Sequence, residues 1–385
     1  MLSIRSLVFV VFAGGVAGCA ASTAPYAPPL NSAPSFARAS TAQAMEHAWG
    51  RSMIRVALPS AGCFEAKYPA IAWERIGCAK PPNIPFSYRK PGAVTPDGAP
   101  YVGNTYDWEL ETLPLPMSGA IGSFDNVRGV KSAFSCPQKN ISKKGLCTGG
   151  SYGPDSYSLQ LNSNNFWTSV CPKHCMGWEQ FVYTNYPNYY SNKGGLLIIQ
   201  DWYLSTDPKK KIKCQKGWTG SGGGCYRNAP FAIQVPSLTA GILGSLTLAG
   251  SATANGDSVF LVNTSTGGYP AHIYGMKNAQ GDDLTELADH WTGAEYNIFG
   301  TGNLARVMFN SGSDITVRVE AITSYTAAPK CLADSGTTGE SNNLAFVEAP
   351  LHPQSSHYPS VVFREQYPRK SSLLPESCAT LPAAY

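Results

Sequence analysis

Charge is scarce in this chain. Asp, Glu, Lys and Arg make up 14% of its 385 residues and leave a net charge of +4. So small and scattered an excess excludes a nucleic-acid partner. The densest basic run, Lys209-Lys210-Lys211 with Lys213, reads as an exposed loop. Long amphipathic helical stretches are also scarce, which argues against a helical bundle. Beyond the N-terminus no apolar run is long enough to cross a membrane as a helix. There is no HExxH pattern, and the glycine tracts lack the Walker lysine context, so neither a zincin site nor a phosphate loop is expected.

Turn chemistry is what the chain has in quantity. Gly numbers 38 and Pro 29, with Asn, Ser and Thr abundant beside them. From Ser118 to about Thr323 these residues separate short β-rich runs: "YSLQLNSNNF", "WEQFVYTN", "GGLLIIQDWYL", "FAIQV", "GSLTLAGSATA", "SVFLVNTST", "AHIYGM", "AEYNIF", "ARVMFN" and "DITVRVEAI". About ten such runs with little helix between them predict an all-β fold, an antiparallel, concanavalin-like (jelly-roll) sandwich over residues 117–325. One helix is expected inside it. In "DDLTELADHW", Leu284, Leu287, Ala288 and Trp291 share a face behind Asp282 and Asp283 as N-terminal caps.

The N-terminus, "MLSIRSLVFVVFAGGVAGCAAS", joins one arginine to a short apolar run ending in small residues, which is an export signal over residues 1–19. Val16-Ala17-Gly18-Cys19 resembles a bacterial lipobox, in which Cys19 takes a lipid. Ordinary signal-peptidase cleavage a few residues later is the alternative. The expected location is therefore outside the bacterial cytoplasm, as a secreted protein or an outer-membrane lipoprotein, with a lipid on Cys19 as the sole membrane attachment. Residues 20–60 read as a flexible tether and a short helix over 42–57. Residues 61–116 form a Pro-rich, disulfide-stapled segment, either a pro-region or a strap across the main domain. Residues 326–385 are an irregular C-terminal extension.

Without Cys19, ten cysteines remain, an even number suited to an oxidising compartment. Nearest-neighbour pairing gives Cys63–Cys78, Cys136–Cys147, Cys171–Cys175, Cys214–Cys225 and a distant Cys331–Cys378, although spacing alone does not settle connectivity. "CPKHC" brings His174 between two thiols. No second pair has zinc-ribbon spacing, so a closed loop is expected there and neither metal nor cofactor anywhere.

"GGSYG" at 149–153 has the form of a nucleophile elbow but lacks the strand before it and the helix after it. Acids and amides on strands remain. Alternation puts Ser158, Gln160 and Asn162 on one face of their strand, Glu295 and Asn297 together on another, and Gln200 with Trp202 opposite Asp201 with Tyr203.

The order "SLQLNSNNF", "QDWYL", "GAEYNIFG" resembles the glutamic peptidases called eqolisins, at a few residues in each of three places. The resemblance implies a β-sandwich endopeptidase active on polypeptides at acidic pH. Gln160 matches the family's catalytic glutamine and Glu295 its catalytic glutamate, with Asp201, Trp202 and Tyr203 on the aromatic strand. The chain departs from the family in having Glu295-Tyr296 for Glu-Trp and no Thr-Gly after Gln160. Trp178, Gln200, Asp201, Trp202 and Asn297 are the expected substrate contacts. "GC…YP…W…C", "SLQLNSN" and "W-x-QFVY" also resemble a group of exported bacterial proteins, a likeness that brings no activity with it. The competing expectation is a carbohydrate- or surface-binding sandwich using Trp167, Trp178, Trp202 and Trp291. The peptidase requires Gln160 and Glu295 on one face; the binding module does not.

Overall fold

The computed structural model describes residues 35–88, 102–104, 106–112, 114–169, 175–186, 194–207, 212–264, 270–279, 284–367 and 376–384, with side chains from residue 41. Cys19, Cys171, His174, Lys209–Lys211, Asp282 and Asp283 lie outside them. Among the described residues the fold is nearly all β. A ten-stranded and a nine-stranded antiparallel sheet stack as a sandwich, with a small three-stranded sheet beside them.

Period-two patterning builds the core. Leu159, Leu161, Phe181, Tyr183, Leu197, Ile199, Tyr296 and Ile298 of the nine-stranded sheet are buried with Leu248, Leu261, Val317 and Val319 of the ten-stranded one. Close approach at one point is set by Gly122, where a Cβ would overlap the Tyr296 ring. The helix Ser35–Ile54 is longer than the sequence expectation at its N-terminal end. Its Trp49 and Met53 cluster with Phe260, Val262 and Ile273 on the outer side of the ten-stranded sheet.

All ten β-rich runs contain strands. The sheets also recruit residues on either side of 117–325. Gly62–Lys67 pairs with His272–Lys277, Glu109–Glu111 with Gly293–Phe299, and Ser360–Gln366 with Asp314–Ile322. The expected helix before Glu295 is only Leu287–His290, entered through Glu286 in a left-handed conformation. Its apolar anchors hold: Leu287 and Trp291 are fully buried. Cys63–Cys78, Cys136–Cys147, Cys214–Cys225 and Cys331–Cys378 are disulfides, and Cys175 is disulfide-bonded as well.

Candidate functional site

The outward face of the nine-stranded sheet carries the candidate residues in rows. Antiparallel register sets Glu295 opposite Asn162, Asn162 opposite Gln180, Gln180 opposite Gln200, and Gln200 opposite Asn228. The result is a ladder of one acid and four amides across five strands. Directly opposed side chains lie close enough to bond. Asn162 Nδ2 donates to Glu295 Oε2 at 3.0 Å, Gln180 Nε2 to Asn162 Oδ1 at 3.0 Å, and Gln200 Nε2 to Asn228 Oδ1 at 2.7 Å. One row along, Gln160 lies opposite Asn297. On the other flank Trp178, Trp202 and Tyr226 form an aromatic row, with ring centroids 5.8 and 5.2 Å apart.

Gln160 and Glu295 therefore share one face as diagonal neighbours, and both are fully buried. They are covered by the chain's own segment 336–340. Glu295 Oε2 accepts from Thr337 N at 2.8 Å, Thr337 Oγ1 at 2.7 Å and Thr338 N at 3.2 Å. Among the described residues its Oε1 accepts no hydrogen bond. Gln160 Oε1 accepts from Gln180 Nε2 at 3.2 Å and Thr338 Oγ1 at 3.0 Å, while its Nε2 donates to Ser158 Oγ at 2.9 Å. Thr338 thus touches both candidates. A second segment, 84–88, crosses the Gln200 and tryptophan half. The two segments join through Gly339 N donating to Ser87 O at 2.6 Å.

Three further carboxyl groups are buried around this point, and among the described residues none of them forms an ion pair. Burial, with the charges of Glu295 and Glu365, pushes Asp107 well above the usual carboxylate range. Burial pushes Glu365 up to about 8 and Glu340 to about 7, against donors that pull the other way. Thr338 Oγ1 also lies 2.6 Å from Glu340 Oε2. A hydroxyl has one proton to give, so serving Gln160 and Glu340 together requires a proton on Glu340.

Gln160, Glu295, Asn297, Gln200, Trp202 and Trp178 come together on this face. Asp201 does not. It lies on the core side, opposite Glu179 of the neighbouring strand, because successive strand residues point to opposite faces. Of the four tryptophans in the binding-module expectation, Trp178, Trp202 and Trp291 are buried and Trp167 is 65% exposed. Residues 149–153 contain no strand or helix. Among the described residues no group of three His, Cys, Asp or Glu side chains is placed to hold a metal.

Sequence reasoning missed Gln180, Asn228 and Tyr226, although the alternation in "WEQFVY" puts Gln180 on the face of Trp178. It also missed Asp107, Thr337, Thr338, Glu340 and Glu365, for which no local pattern exists. No protein-family model matches the chain, and no curated protein does.

Proposed function

We propose that the chain is an exported endopeptidase of glutamic type, held here in a closed state, with Glu295 as general base and Gln160 as oxyanion stabiliser. The observation that carries this reading is Thr338. A length of polypeptide already lies over both side chains, bonded to Glu295 through backbone N–H and to Gln160 through its hydroxyl. Once segment 336–340 leaves, Glu295 Oε2 loses three of its four donors and can take a proton from water attacking a peptide carbonyl. Gln160, with its amide turned so that N–H faces the groove, donates to the developing oxyanion, a contribution of about a hundredfold or more in rate. Amides rather than cations surround the acid, so its charge stays available as a base.

Export fits the disulfides, with Cys19 lipidation as the proposed anchor. The carbohydrate-binding alternative is left with Trp167 as its exposed aromatic, and a lone ring is a weak platform for a sugar.

The test is cleavage of an unfolded protein between about pH 2 and 5 by the wild type and by a variant opened at the cover, Thr337→Ala/Thr338→Ala. Activity lost in Glu295→Gln and in Gln160→Ala, with each still folded, supports the reading. No cleavage by either the wild type or the opened variant overturns it.

A further inference from the structure

We infer that the outward face of the nine-stranded sheet is a groove for an extended polypeptide bearing aromatic side chains two residues apart, and that residues 82–88, "PNIPFSY", are its resident occupant. As a statement about substrate, this rests on the peptidase reading above. As a statement about binding, it stands on the following contacts.

The segment adds no strand to either sheet; it lies across a sheet face. Its main chain is held by side-chain amides of the ladder. Gln200 grips it at two points two residues apart: Phe86 N donates to Gln200 Oε1 at 2.8 Å, and Gln200 Nε2 donates to Ile84 O at 3.0 Å. Asn228 Nδ2 donates to Pro82 O at 2.6 Å, two residues earlier and on the far side of a bend at Asn83. Contacts of this kind read main chain and are indifferent to sequence.

Side chains supply the selectivity. In an extended segment alternate residues point the same way. Phe86 is fully buried among Val182, Leu196, Ile198 and Ala232. Tyr88, two residues on, packs edge-on against Trp178 at 5.1 Å. The two rings thus occupy adjoining pockets, one aliphatic and one lined by the aromatic row of Trp178, Trp202 and Tyr226.

A passive cover would not be built this way. Buried amides are costly unless bonded, and an apolar interface would avoid that cost. Here the amides facing the segment are spaced to meet main-chain groups two residues apart, which any extended peptide presents.

The experiment measures binding of a synthetic peptide of residues 82–88 to Phe86→Ala protein carrying Glu295→Gln, so that no chemistry intervenes. The buried Trp178 and Trp202 report by fluorescence. Saturable binding is expected, weakened at least about tenfold when the peptide has Ala for both aromatics. Wild type, with its pocket filled, should not respond. Tyr88→Ala, which removes only a half-buried ring, serves as the second protein should Phe86→Ala fail to fold. Absence of binding to a folded variant, or binding indifferent to the aromatics, overturns the inference. Binding that persists while the opened, Glu295-intact protein cuts nothing overturns the peptidase reading alone.

Discussion

Asn297 Nδ2 lies 3.3 Å from Glu365 Oε2, joining the strand of the candidate base to a carboxyl group of the other sheet. The same nitrogen lies 3.3 and 3.4 Å from the two oxygens of Asp107. Asn342 Nδ2 also donates to Glu365 and Trp108 N to Asp107, but neutral donors do not offset the loss of water around two buried carboxyl groups, so both acids are shifted upward.

That shift has a direction in pH. Glu365 and Glu340 are raised from 4.5 to about 8 and about 7. A carboxyl raised in the folded state contributes stability that is fully present below its unfolded value and is lost as pH rises through the folded one. The contribution of these two acids to the melting temperature should therefore be greatest near pH 4.5 and should fall toward pH 8. Glu365→Gln, neutral at every pH, should flatten the upper part of that fall. Thermal melts of both proteins across the range decide the matter; a difference between wild type and Glu365→Gln that does not change between pH 4.5 and 8 would contradict the burial argument.

Thr338→Val keeps the shape of the cover but deletes the hydroxyl between Gln160 and Glu340. A lost buried hydrogen bond costs about 1 kcal/mol, with more when a partner is stranded. The backbone N–H groups of Thr337 and Thr338 should then exchange faster with deuterium while the sheets do not. Under the proposed function, the same variant should cleave substrate faster than wild type. Unchanged exchange would mean that the hydroxyl does not hold the cover down.

Gly122→Ala tests the packing behind the site. The added Cβ would overlap the Tyr296 ring, whose neighbour in sequence is Glu295. Overpacking of this kind costs about 1–3 kcal/mol. Gly150→Ala, which meets nothing within 4 Å, is the matched control and should be neutral. Denaturant melts showing equal stability for the two variants would refute the account of this contact.

Cysteine chemistry gives the last prediction. Non-reducing peptide mapping should recover Cys63–Cys78, Cys136–Cys147, Cys214–Cys225 and Cys331–Cys378, together with Cys171–Cys175. Cys19→Ser should abolish lipid labelling and release the protein from membranes if the lipobox is used. Wild-type protein without lipid, fractionating like the mutant, would establish ordinary signal cleavage instead.

What the sequence by itself determined is local and periodic. Side-chain direction in a strand repeats every two residues, so the ten β-rich runs, the burial of Leu159 and Tyr296, and the common facing of Glu295 with Asn297 were all legible from alternation. Cysteine spacing was enough to propose the neighbouring bridges. The helix before Glu295 was overread because Leu287 and Trp291 satisfy a helical face, yet only one turn forms before the strand begins. What lies over the candidate face was decided by tertiary structure alone. Thr338 meets Gln160 across 178 positions, and Phe86 meets Gln200 across 114. Neither segment has a periodicity that names its partner. The raised acids share that origin, since burial depends on which distant segments close over a carboxyl group, and nothing in the residues flanking Asp107 or Glu365 specifies that.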